Sequence, residues 1–190
     1  MAMKRKISLL FLAGGFFFIT VAGIQIYSSK KIQSETLEKA TQLLKAEQPV
    51  SFEKVPPSQN EDVIGILNLQ SLAEKFPIVA GTTDEDLEKG VGHYDGTALP
   101  NEKDQIVLSG HRDTVFKRLG ELKLGDELTV EMPYGTFTYV IEKTFIVEAD
   151  DRTVIKSTAP NEVLTLTTCY PFNFVGDAPQ RYIVNAKRKP

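Results

Sequence analysis

Cysteine is almost absent from this chain: Cys169 is the only one among 190 residues, so no intramolecular disulfide can form. Histidine is nearly as scarce, with His93 and His111 alone, and these two with one cysteine lack the local ligand spacing of a zinc site. A surplus of positive charge is missing too. With 22 Lys and Arg against 25 Asp and Glu, a formal charge of −3 leaves no polycation to track nucleic acid. Internal repeats and low-complexity tracts are likewise missing.

Charge is also missing from one continuous stretch. From Ile7 to Ser29 the sequence runs for about 23 residues without an ionisable acid or base, long enough as a helix to span a bilayer core. It reads as a transmembrane anchor. Lys4, Arg5 and Lys6 precede it and Lys30 and Lys31 follow it, a slight bias toward a cytoplasmic N-terminus with the remainder outside. A cleaved signal peptide is the competing reading, but the run exceeds a usual signal core and Val21-Ala22-Gly23 is a poor cleavage site.

After the anchor, Ile32, Leu37, Ala40, Leu43 and Leu44 recur near helical spacing, as in a helical stalk continuing from the membrane, but the stripe is thin and the preferred reading is a solvated, partly helical linker without a partner. Pro49, Pro56 and Pro57 interrupt any helix. The expected organisation is therefore a tip and anchor over 1–29, an extracellular linker over 30–61 and one domain over 62–190.

Within that domain the apolar period shortens to two. IGILNL, QIVLSGH, DELTVEM, GTFTYVIEKTFIVEA, EVLTLTTC and RYIVNAK are short segments rich in β-branched and aromatic residues, parted by turn formers. Pro133-Tyr134-Gly135 reads as a hairpin turn, and short helices are expected from Thr83 and over 114–119. The pattern predicts an all-β fold, a closed or nearly closed barrel that removes exposed strand edges.

Strand alternation puts Val163, Thr165, Thr167 and Cys169 on one face and Leu164, Leu166 and Thr168 on the other. Pro171, Gly176 and Pro179 then make a loop before a strand resumes at Arg181, so Cys169 and Arg181 fall at neighbouring strand ends. His111 closes another apolar strand, QIVLSG, and would also project from a strand terminus. A lone cysteine is commonly inert filler and a strand-end arginine commonly solvated. Together with an imidazole, however, they are what activates a thiol and steadies an oxyanion. His93, in the glycine-rich KGVGHYDG, is placed to support a turn or line a groove.

Thr165 to Cys169 (TLTTC), with Arg181 after it and Gly110 to Phe116 (GHRDTVF) before it, resembles the active-site set of the sortases, the cysteine transpeptidases of Gram-positive bacteria. The likeness extends from about Ile64 onward through KGVGHY, LGELKLGDELTV and TCYPF, and is most like class D. It implies a membrane-tethered, eight-stranded β-barrel with short helices and no cofactor. It implies Cys169 as nucleophile on the threonine carbonyl of an LPxTx signal, His111 as acid and base, and Arg181 as donor to the oxyanion or substrate backbone. Thr168, His93, and Val154 and Ile155 in DDRTVIKSTAPN are the expected substrate contacts. The implied partners are LPxTx-bearing surface proteins and an amine of peptidoglycan or its lipid-linked precursor. Asp113 is expected to cap the segment after it. Asp84, Glu85, Asp86 and Glu88 read as a helix start rather than a calcium site.

Two other readings remain open. A Cys/His cell-wall peptidase would use the same chemistry, although papain-like enzymes place cysteine before histidine, the reverse of this chain. A membrane-tethered binding module with an inert Cys169 is the non-catalytic alternative.

Overall fold

In a computed structural model, residues 2–45, 63–174 and 176–190 are described. The prolines expected to break the chain after residue 48, and the expected domain start near Asp62, lie outside them. Eight strands close into one barrel: β1 (Val63–Leu69), β2 (Glu74–Ala80), β3 (Val91–His93), β4 (Gln105–Ser109), β5 (Glu127–Met132), β6 (Gly135–Glu148), β7 (Val163–Tyr170) and β8 (Gln180–Arg188). Around the barrel the order is β1-β2-β3-β4-β7-β8-β6-β5, with β2/β3 and β4/β7 parallel and the remaining pairs antiparallel.

Period-two alternation fills the interior. Ile106 and Leu108 of β4, Leu164 and Leu166 of β7, and Val184 and Ala186 of β8 are buried in one core with Leu67, Leu128 and Tyr139. Each such leucine removed from water contributes roughly 2 kcal/mol. Their alternates Val107, Ser109, Thr165, Thr167 and Ile183 lie on the outer face. Pro133-Tyr134 turns the β5/β6 hairpin, with Met132 opposite Gly135.

Two strands that residue preference did not single out complete the barrel. β2 carries Pro77, which ordinarily argues against a strand interior; here it stands just before the pairing with β3 begins at Ile78. β3 is only Val91–His93. The helix expected over 114–119 is a run of turns leading into a 3₁₀ turn at Leu119–Glu121. Asp113 is exposed and makes no hydrogen bond or ion pair with a described residue, so it does not cap this segment.

Among the described residues, two α-helices lie outside the barrel. α1 (Ala2–Lys45) contains a stretch long and apolar enough to cross a membrane. It runs without a break past the apolar region, and its last turns pack on β1, β2 and α2 (Asp84–Lys89). The solvated linker expected over its C-terminal part is instead a docked helix face: Thr36 and Ala40 are buried, and Gln33, Leu37, Thr41, Leu43 and Leu44 are half-buried along the same stripe. Thr83 caps α2 through a reciprocal box with Asp86, which spends the acidic cluster on the helix start.

Candidate active site

Parallel pairing of β4 with β7 brings their C-terminal ends to the same end of the barrel, and antiparallel β8 starts there. Ser109 pairs with Thr167, and Cys169 pairs directly with Arg181. Continuing the β4/β7 register by two residues carries His111 alongside Cys169. Three residues far apart in sequence therefore converge because of strand order.

The turn that carries His111 is tightly held. Gly110 N donates to Thr167 O at 3.1 Å, the Thr168 hydroxyl donates to Gly110 O at 2.7 Å, and Phe116 N donates to His111 O at 3.0 Å. Only glycine fits at position 110, since a Cβ would come within 2.6 Å of Val115 and 2.7 Å of the Phe116 ring. His111 itself is half-buried and borders the cleft.

That cleft has a volume of about 640 Å³ and is bordered by Ser109, His111, Thr167, Cys169 and Arg181. Val107, Thr165 and Ile183, on the adjacent strands β4, β7 and β8, form its floor, and Leu87, Tyr94, Val147, Val154 and Ile155 also line it. Cys169 is a half-buried free thiol. Arg181 Nη1 donates to Ala178 O at 3.1 Å and Gln180 O at 2.9 Å. These bonds orient the guanidinium and leave the donors of Nη2 and Nε without a bond to the described residues. A thiol, an imidazole and a fixed cation in one partly apolar cleft can perform acyl transfer through sulfur.

The neighbouring loop is fastened to the same turn. Arg112 donates from Nη2 to Gly176 O at 2.8 Å and lies over the Phe174 ring at 6.0 Å, tying the segment after Cys169 to the residue beside His111.

The expected substrate contacts divide. Val154 and Ile155 border the cleft. Thr168 also borders the cleft, but it is 3% exposed and its hydroxyl donates to Gly110 O, so that hydroxyl helps hold the turn before His111. His93 does not border the cleft. It is buried, with Nε2 3.0 Å from Ala98 O and 3.2 Å from Thr97 Oγ1, and burial holds its pKa below the ordinary imidazole value. Among the described residues no cluster of three His, Cys, Asp or Glu could hold a metal ion.

Sequence reasoning missed Val107, Ile183, Leu87 and Tyr94 as cleft residues. Alternation on β4 and β8 carried a signal for the first pair; Leu87 and Tyr94 arrive only through tertiary folding.

Comparison with known proteins agrees with this architecture. Residues 67–189 match the family model for the sortase domain. The chain is 43% identical to Sortase D of Bacillus subtilis (strain 168), over 98% of this chain and 99% of that one. Among solved structures, a Clostridium perfringens Sortase D5 transpeptidase superposes with a TM-score of 0.72 at 26% identity, covering 84% of this chain and 99% of that one. The catalytic domain of B. anthracis SrtD gives a TM-score of 0.57 at 49% identity, covering 68% and 88%.

Proposed function

The chain belongs to the sortase family of cysteine transpeptidases, with its kinship in class D, and on that premise we propose that it is a membrane-anchored enzyme joining LPxTx-bearing proteins to a cell-wall amine. The supporting observation is the convergence of Cys169, its cross-strand partner Arg181, and His111 in one cleft.

The Cys169 thiolate attacks the carbonyl carbon of the signal's threonine, and a carbon–sulfur bond forms. Arg181 donates to the oxygen that gains negative charge, its guanidinium held ready by Ala178 O and Gln180 O. As the tetrahedral centre collapses, the peptide C–N bond breaks and His111 gives its proton to the departing amine. The thioacyl-enzyme then meets the acceptor amine, which loses a proton to His111 as the new amide forms and the thiolate returns. Val154 and Ile155 receive the apolar Leu-Pro part of the signal. Water in place of the amine gives hydrolysis. The acceptor is an amino group of peptidoglycan or its lipid-linked precursor, and the barrel works outside the cell on a single-pass anchor.

Intact-protein mass spectrometry after mixing the protein with LPNTA and LPNTG peptides tests this. A thioacyl adduct on Cys169, discharged by an added amine as a new amide, is the expected result, and Cys169→Ala gives none. His111→Ala and Arg181→Ala lower turnover by about 100-fold or more. A wild-type protein that forms no adduct, with a thiol inert to alkylation, would sink the reading.

A further inference from the structure

The wall carrying Val154 and Ile155 belongs to the connection from β6 to β7, residues 149–162, which has no helix or strand of its own. Its internal bonds are local: Asp151 N to Glu148 O, Ile155 N to Arg152 O and Asn161 N to Thr158 O. Such bonds shape turns within the segment.

Between residues 154 and 159, the bonds that reach another part of the chain end on two adjacent residues at the foot of β4. Gln105 Nε2 donates to Val154 O at 2.8 Å, and Gln105 Oε1 accepts from Lys156 N at 2.8 Å. The Asp104 carboxylate accepts from Ser157 Oγ at 2.9 Å, Thr158 N at 2.5 Å and Ala159 N at 3.1 Å. Gln105 is 5% exposed. Its amide also donates to Thr165 Oγ1 at 2.9 Å, on the cleft floor. Its donor and acceptor ends are thereby both committed, and one side chain links floor and wall.

A second, open pocket of about 260 Å³ lies beside the same contact, bordered by Ala98, Asp104, Gln105, Ile155, Lys156 and Ser157.

We propose that Asp104 and Gln105 are positioning residues for substrate recognition, a clamp that fixes the Val154–Ile155 wall at the width an extended apolar peptide needs. The inference rests on the cleft being the sorting-signal site. The clamp and the His111 turn then sit at opposite ends of β4, so one short strand aligns recognition with chemistry.

The test uses the full chain in detergent, wild type and Gln105→Leu, a change of similar volume that removes all of the glutamine's side-chain hydrogen bonds. With LPNTA peptide and a fixed amine, KM should rise about tenfold while kcat changes by no more than about threefold. The rate of Cys169 alkylation by iodoacetamide, which needs no peptide-binding wall, should stay near wild type. An unchanged KM overturns the clamp, as does a fall in kcat and alkylation rate together with KM. A wild-type chain that never acylates fails at the site itself, and the clamp falls with it. If Gln105→Leu does not fold, amide hydrogen exchange on the wild type decides. The Lys156, Thr158 and Ala159 amides should exchange far more slowly than those of exposed loops, and fast exchange at all of them overturns the proposal.

Discussion

The two histidines share a residue type and have opposite environments. His111 lies half-buried at a strand end, whereas His93 is enclosed with its ring nitrogen against Ala98 O. Burial is the larger influence on His93 and lowers its pKa, against the opposing pull of the Ala98 bond. The unfolded chain therefore takes up a proton near the ordinary value of about 6.5, and the folded chain only at lower pH. The stability linked to His93 is complete above about pH 6.5 and is lost as pH falls through the folded value. His93→Gln should remove the part of the acid-induced fall in Tm that begins near pH 6.5; an unaltered Tm profile between pH 7 and 5 would count against this. His93→Ala should also keep much more transpeptidation than His111→Ala. At this scale the sequence was informative where alternation decides orientation: Val163 to Cys169 put Cys169 and Thr168 on opposite faces, and β7 has them so. It was blind to enclosure: His93, expected to support a turn or line a groove, is enclosed against Thr97 and Ala98 and does not border the cleft. Nothing local marks Gln105 either, because its partners lie 49 to 60 residues away.

Among elements, α1 departs most from its sequence reading. The expected stripe of Ile32, Leu37, Ala40, Leu43 and Leu44 looked thin because threonines count as polar. Yet Thr36 and Thr41 belong to the packed face, their hydroxyls donating to Ile32 O and Leu37 O at 2.8 Å each. Satisfied within the helix, they bury at little cost. Ala40→Leu should overpack this face and cost about 1–3 kcal/mol, read as a lower Tm of the full chain, while exposed Lys39→Leu should change it little. Equal Tm values for both variants would mean that the helix does not dock. β2 was obscured by Pro77 and β3 by its brevity; the apolar alternation of β5, β6 and β7 was plain.

At the scale of the whole molecule, α1 joins the apolar run to the barrel without interruption. The proposed topology predicts that protease added to intact protoplasts removes the barrel and spares the N-terminal tip, whereas permeabilised cells lose both. Survival of the barrel in intact protoplasts would overturn the orientation. Barrel closure was expected from the many short strands, but no residue preference reveals that β4 and β7 are neighbours across more than fifty residues of intervening chain. That adjacency is what assembles the cleft, and only the resemblance to a known family pointed to it in advance.

From Ser29 to the buried Ala40, the helix rises about 16 Å. A rope of that contour would let an enzyme sweep a hemisphere; a mast confines it to swivelling at one altitude. Under the proposed anchoring, the Cys169 cleft is held at a near-constant height above the bilayer, and meetings with other tethered molecules become a search in a plane. On the same proposal, the height at which a substrate presents its scissile bond selects among substrates before any side chain touches them.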